Sequence, residues 1–172
     1  MDPARIHLVA REAAAQHMTP RWHFAHFDDL TPRQVHDMYR VRADVFVVEQ
    51  NCVFPDVDGV DPKCWHLLGY GAGPLVEELL AYCRLLPAGV KFAEPSIGRV
   101  VTARSVRGTG MGRVLMAEAM KRAAGLWPGE PLRIGAQAHL ERFYNGYGFT
   151  KTGEPYDEDG ILHIEMHHKG KQ

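Results

Sequence analysis

Residues 97–126 constrain the fold more than any other part of the chain. Ile97-Gly98-Arg99-Val100-Val101-Thr102 is a short β-branched apolar run closing on polar residues, the pattern of a buried strand. Val106-Arg107-Gly108-Thr109-Gly110-Met111-Gly112 follows. Beyond it Leu115, Met116, Ala119, Met120 and Ala123 recur at helical spacing, which starts a helix near Gly110. The first N–H groups of a helix lack internal acceptors, and the aligned peptide dipoles make that end positive. Glycines let a phosphate come up against the backbone, and Arg107 adds a forked cation. Strand, glycine loop and helix therefore build a site for phosphate or pyrophosphate, with a tight strand-to-helix connection as the alternative reading.

Two common owners of such a loop fit poorly. A nucleoside triphosphatase needs Lys-Ser/Thr after its last glycine, whereas Arg113-Val114 follows Gly112. A dinucleotide fold carries Gly-x-Gly-x-x-Gly early in a βαβ unit, with an acid about 20 residues on. Here the spacing is Gly108-x-Gly110-x-Gly112, late in the chain. A net charge of −1 offers no basic surface for nucleic acid. No apolar run approaches the length of a membrane span, and residues 1–20 hold no signal-peptide core, so no membrane partner is expected. Cys52, Cys64 and Cys83 form neither an even set nor a Cys-x-x-Cys pair, and read as reduced thiols of a cytoplasmic protein. The 172 residues suit one domain, expected over residues 21–169, behind a tail at 1–20 that is mobile or carries a short docked helix.

In order, Trp22 to Phe27 reads as a first strand. Thr31-Pro32-Arg33-Gln34 opens a helix, with Thr31 as N-cap, Pro32 at the first position and Gln34 closing a capping box. Val35, Met38, Tyr39, Arg42, Val45 and Phe46 carry its face to about residue 47. The acidic loop 52–64 contains Asp56-x-Asp58-Gly59, part of a calcium-loop pattern without its flanking helices or closing glutamate, so an Asx turn is expected. Cys64-Trp65-His66 has no second Cys/His pair at zinc spacing, and no metal is expected. Trp65 to Tyr70 and Leu79 to Leu86 read as a hairpin with a Gly-Ala-Gly-Pro turn region. After the glycine-loop helix come a strand at 132–137, a short helix at about 139–147 capped by Gly148, and closing strands at Phe149 to Thr152 and Ile161 to His167. His163 and His167 share a strand face and read as solvent-side. The class is α/β, a mostly antiparallel mixed sheet of about six to seven strands with helices on both faces.

Arg107-x-x-Gly110-x-Gly112 resembles the pyrophosphate loop of the GNAT acyl-CoA N-acyltransferases. About 30 residues later, Phe143-Tyr144-Asn145-Gly146-Tyr147-Gly148-Phe149 resembles the Phe/Leu-Tyr-x-x-x-Gly-Phe segment that ends that domain. The likeness extends to the ElaA-like subgroup through Val45-Phe46-Val47-Val48-Glu49-Gln50, Asp56-x-Asp58-Gly59, Ile97-Gly98-Arg99-Val100-Val101, Gly135-Ala136-Gln137-Ala138-His139-Leu140 and Glu158-Asp159-Gly160-Ile161-x-His163-Ile164. Together these span roughly residues 22–168. The resemblance implies a GNAT fold and an acetyl-CoA (acyl-CoA) co-substrate. It implies that the backbone of Val100, Val101 and Thr102 holds the pantetheine arm like another strand. Arg107, Gly108, Thr109, Gly110, Met111 and Gly112 would cradle the pyrophosphate, and Gln137 would help fix the pantetheine. Tyr144 matches the usual general acid, and a phenol of pKa about 10 suits a thiolate of comparable basicity.

The base is open. An amine of pKa about 10 is almost wholly protonated at pH 7, so something must take its proton. Relatives place a glutamate on the central strand or at the start of the next; here those places hold Gly98, Arg99 and Leu132. The candidates are Glu49, just past the first helix, which would alternatively bind the acceptor ammonium, and His66, an imidazole after the acidic loop. Asp56, Asp58, Asp61, Asp157, Glu158 and Asp159 would rim one mouth and draw in a cationic amine; two solvated turns are the alternative. The leading expectation is transfer of an acetyl or short acyl group from acyl-CoA to a primary amine, and the competing one is a non-catalytic acyl-CoA-binding or sensing module.

Overall fold

The computed structural model describes residues 19–71 and 77–170. Most of the expected tail and residues 72–76 of the hairpin turn lie outside the described residues. Strand β1 (Arg21–His26) leads by way of a short 3-10 turn to helix α1 (Pro32–Arg42). Its capping box is formed in both directions: the Thr31 N–H donates to Gln34 Oε1 at 2.8 Å, and the Gln34 N–H to Thr31 Oγ1 at 3.3 Å. Past Arg42 the helix widens into a π-helix over Ala43–Glu49. The N–H of Gln50 reaches Val45 O at 3.1 Å and that of Cys52 reaches Val47 O at 3.2 Å, each five residues back.

Strands β2 (Trp65–Gly71), β3 (Glu78–Leu86) and β4 (Ser96–Thr102) join β1 in a four-stranded sheet of order β1-β2-β3-β4. Helix α2 (Met111–Leu126) and strand β5 (Leu132–Gln137) follow, then helix α3 (Glu141–Asn145) and strands β6 (Thr150–Glu158) and β7 (Ile161–His168). The last three strands form a second sheet of order β5-β7-β6. The seven expected strands are all present among the described residues, and every pair within the two sheets is antiparallel. They divide four and three instead of running as one continuous sheet. β6 is longer than the expected 149–152.

β3 buries every residue after Glu78, so both its faces are covered. Helices α1 and α2 both pack against β3 and β4. From α2 the buried side chains are Met111, Leu115, Met116, Ala119 and Ala123. At their starts β4 and β5 lie together, the Arg133 N–H bonding Pro95 O at 3.0 Å. They then part, and a cleft opens between them.

The parting coincides with a bulge in β4. Tyr82 pairs with Val101 and Arg84 with Gly98, so Cys83 alone faces the interval filled by Arg99 and Val100. Arg99 takes up the extra length in the left-handed region, at φ 51°. Such a conformation costs a residue other than glycine about 1–3 kcal/mol and needs outside support.

That support is a buried ionic network. Arg42, fully buried, donates from Nε to Asp56 Oδ2 at 2.9 Å and from Nη1 to Asp61 Oδ1 at 2.8 Å. Arg84 Nη1 reaches both Asp61 Oδ1 and Asp58 Oδ1 at 2.9 Å. Arg99 Nε holds Asp56 Oδ1 at 2.8 Å. Three arginines from α1, β3 and β4 thus anchor the acidic loop, which also forms the expected Asx turn, Val60 N–H to Asp58 Oδ1 at 3.1 Å. Burial opposes ionisation of Asp58, but the hydrogen bond and charge of Arg84 outweigh it and bring the carboxyl down to about 2.

Removing one member strands the others, and breaking a buried pair costs about 3–5 kcal/mol. Asp61→Asn is therefore expected to lower the unfolding free energy by about that much in urea titrations. Asp58, titrating lower in the folded chain than its reference value of 3.8, adds stability that is in full above about pH 4. That contribution is lost as the pH falls through about 2, and Asp58→Asn removes this part of the acid dependence.

Candidate active site

The cleft between β4 and β5 has a volume of about 550 Å³. Gly98 to Thr102 form one wall and Gly135, Ala136 and Gln137 the other, with Val45, Phe46, Glu49 and Gln50 of the π-helical region closing a side. A Cβ at Gly135 would lie 3.0 Å from the Tyr156 hydroxyl, so a side chain there would have to push that phenol aside. Gln137 Nε2 donates to Gln50 Oε1 at 3.2 Å and ties the second sheet to the chain beyond the π-helix.

Val100, Val101 and Thr102 line the cleft. Because β5 has drawn away, this stretch of β4 presents a strand edge, with backbone donors and acceptors open to an extended ligand. Arg107 also lines the cleft, and the loop runs on from it to Gly112. Gly108 and Gly110 hold φ values of 76° and 92°, with open space where a Cβ would stand, so glycine is required there by conformation alone. Intrahelical bonding starts with the N–H groups of Arg113 and Val114, both reaching Gly110 O. The amides of Thr109, Gly110, Met111 and Gly112 therefore precede the first bonded turn. Thr109 Oγ1 donates to Val106 O at 2.6 Å and braces the turn, while the Met111 side chain is buried in the core.

Glu49 lines the same cleft. Its carboxylate accepts from Arg107 Nη1 and, at 2.7 Å, from Arg104 Nε. These bonds, Arg107 first, hold it below the usual carboxylate range, so it is ionised and engaged. Tyr144 lines the cleft with little exposure, packed edge-on to Phe143 and Phe149. Burial pushes its phenol up, so the hydroxyl keeps its proton at neutral pH.

His66 is not brought to this place. It is fully buried in β2, beneath the ionic network. Nε2 lies 3.0 Å from the Asp61 carbonyl and Nδ1 2.8 Å from the Tyr82 hydroxyl. A carbonyl only accepts, so Nε2 carries the proton, and the Tyr82 O–H donates to Nδ1. Both nitrogens are spent on structure, and burial brings the imidazole down to about 4.

The acidic rim also differs from expectation. Asp56, Asp58 and Asp61 are neutralised by Arg42, Arg84 and Arg99, and Asp157 accepts from the Gly160 N–H at 3.1 Å. Of the six acids, Glu158 and Asp159 line the cleft. His163, read from the sequence as solvent-side, lines it too, with 15% of its side chain exposed. The signal for it was the alternation of β7, which sets His163 and Glu165 on one face; which way that face looks depends on pairing with β5.

A family model described as an acetyltransferase (GNAT) domain matches residues 87–169. A UPF0039 protein of Synechocystis is 42% identical over 149 residues, covering 87% of this chain and 95% of that protein. Protein ElaA of Escherichia coli is 39% identical over 147 residues, covering 84% and 94%. Among solved structures, an acyl-CoA N-acyltransferase from Pseudomonas aeruginosa superposes with a TM-score of 0.81 at 40% identity, over 87% of this chain and 99% of that one. The crystal structure of Escherichia coli ElaA gives 0.80 at 37% identity, with the same coverages.

The buried imidazole carries a pH signature. Unfolding lets His66 titrate near its reference value of 6.5, whereas in the fold it stays neutral down to about 4. The unfolded chain binds the extra proton between these values, so stability is fullest above pH 6.5 and falls as the pH drops toward 4. The loss is on the order of 3 kcal/mol in urea melts across that window, and His66→Gln flattens it.

Proposed function

This chain belongs to the GNAT acetyltransferase family, and on that footing we propose that it is an acetyl-CoA-dependent N-acyltransferase, delivering an acetyl or other short acyl group to a primary amine. One acyltransferase domain spans residues 21–169 in this reading, and the protein works in the cytoplasm. Its three cysteines, all buried and unpaired, suit a reducing compartment. Among the described residues no helix is long and apolar enough to cross a membrane.

The observation that carries the reading is the splayed β4–β5 cleft, with a strand edge along one wall and Arg107 opening onto the glycine loop. The pantetheine arm, whose amides match a peptide in spacing and polarity, lies along Val100, Val101 and Thr102 as an added strand. The pyrophosphate takes the amides of residues 109–112 at the positive end of α2, with Gly108 in the same loop and Arg107 as counter-charge. Gln137 reaches the pantetheine from the β5 wall. The amine nitrogen attacks the thioester carbonyl, the C–S bond breaks, the departing thiolate takes its proton from the Tyr144 hydroxyl, and the proton shed by the acylated nitrogen restores the phenol. Glu49, held by Arg104 and Arg107, meets the ligand at the phosphate end. A cationic acceptor is drawn by Glu158 and Asp159, the two acids left to the cleft.

Calorimetry with coenzyme A, followed by a free-thiol assay with acetyl-CoA over a panel of amines, tests this. Binding is expected, and a ligand at 100 times its dissociation constant stabilises by about 2.7 kcal/mol, which a thermal melt detects. Tyr144→Phe is expected to lower kcat by about 10²–10⁴-fold with coenzyme A affinity unchanged. No heat with the coenzyme overturns the proposal. Tight binding without turnover on any amine, indifferent to Tyr144→Phe, identifies a non-catalytic acyl-CoA-binding module instead.

A further inference from the structure

We propose, resting on that acyl-transfer reading, that His163 is the general base of the reaction and that Glu158 holds the acceptor's ammonium group beside it. The two residues meet across the turn between β6 and β7. His163 pairs with Gln137 of β5 on one side and with Tyr156 of β6 on the other. Its imidazole therefore shares a sheet face with Gln137, whose side chain lines the cleft where the acyl arm is placed. The ring stacks on Tyr156 with centroids 6.0 Å apart and planes 29° apart.

The tautomer is set by the backbone. His163 Nδ1 lies 2.8 Å from the Ile161 carbonyl, which only accepts, so Nδ1 carries the proton. In the neutral imidazole Nε2 is then the bare lone pair, the form a base needs. It lies 3.8 Å from Glu158 Oε2, too far for a direct hydrogen bond. A nitrogen placed about 2.9 Å from both atoms fits this gap at the apex of a triangle. An ammonium seated there is bound by the carboxylate and aims a proton at Nε2. On transfer the amine becomes the nucleophile, and the imidazolium formed is stabilised by the same carboxylate. The other oxygen of Glu158 lies 3.8 Å from Lys91 Nζ. Further along this face Glu165 and Arg133 bond each other at 3.2 Å, Arg133 also meets Glu94 at 3.3 Å, and His167 lies 4.0 Å from Glu94. His139, the other imidazole on the cleft wall, is exposed and stands as the control.

The competing bases are engaged elsewhere: Glu49 by two guanidiniums, His66 by Tyr82 and the Asp61 carbonyl. His163 and Glu158 supply what the absent strand carboxylate of relatives leaves open.

The test is the pH profile of kcat/KM for acetyl-CoA and an amine, run on the wild type, His163→Gln, His139→Gln and Glu158→Gln, with coenzyme A affinity and thermal melting measured alongside. His163→Gln is expected to lower kcat/KM by about 10²–10⁴-fold near pH 7. The rising limb of the profile disappears, and the deficit shrinks at pH values where the amine is already neutral. Glu158→Gln raises KM for the amine, and neither substitution moves the melting point or the affinity for the coenzyme. Wild-type turnover with the rate and pH limb intact in His163→Gln overturns the assignment. Loss of the limb in His139→Gln instead overturns it as well. Coenzyme A bound by the wild type with no acyl transfer to any amine defeats the acyl-transfer reading itself, and this proposal with it.

Discussion

The whole cleft side of this molecule depends on the pairing of three arginines with three aspartates inside it. Arg42 ends α1, Arg84 sits in the most buried strand and Arg99 occupies the bulge of β4, while Asp56, Asp58 and Asp61 all belong to one loop. Arg42, Arg84, Asp56 and Asp61 are buried, and any of them left alone there costs several kcal/mol, so they persist only as a set, with Arg99 and Asp58 at its more exposed edge. The set therefore fixes four segments at once. It sutures the loop to the sheet and gives the strained backbone of Arg99 its counterweight. Through that bulge it lets β4 turn away from β5.

Two of the carboxylates that line the cleft have opposite circumstances. Glu49 sits between Arg104 and Arg107, fully engaged. Glu158 is partly exposed, and Lys91 and His163 stand 3.8 Å from its two oxygens. Environment, not residue type, separates one that is held from one that is free to receive a ligand. The same contrast distinguishes His66 from His163. Each has one ring nitrogen on a backbone carbonyl, but the second nitrogen of His66 meets Tyr82 inside the core, and that of His163 meets the cleft.

Features written in local sequence were legible. The Thr31–Gln34 box, the start of α2 at the glycines and the strand at 132–137 depend on neighbours a few residues away. Family likeness added the arrangement of the loop, Gln137 and Tyr144. The ionic network was not legible, because Arg42 and Asp56 are 14 residues apart in sequence and Arg99 and Asp56 are 43 apart. No periodicity announces such partners, and a loop of acids reads as solvated until the cations are found. The π-helix escaped for another reason. Its side chains alternate much as those of an α-helix do over two turns, so Val45 and Phe46 fit the ordinary pattern. The strand pairing of β7 with β5 decides that His163 looks inward, and pairing is a tertiary fact.

The widened turn at Ala43–Glu49 stores one surplus residue in the segment that leads to the cleft. Each α-helical residue advances the chain by about 100° around the axis, and the i→i+5 bonds accommodate one residue more per ring than α-helical ones. Val48 lies within both wide rings, Gln50 to Val45 and Cys52 to Val47. Removing it would turn each bond into an ordinary i→i+4 link to the same carbonyl, and Gln50 would stay opposite Gln137. The segment therefore tolerates losing that residue better than gaining another, because its rings already hold the excess.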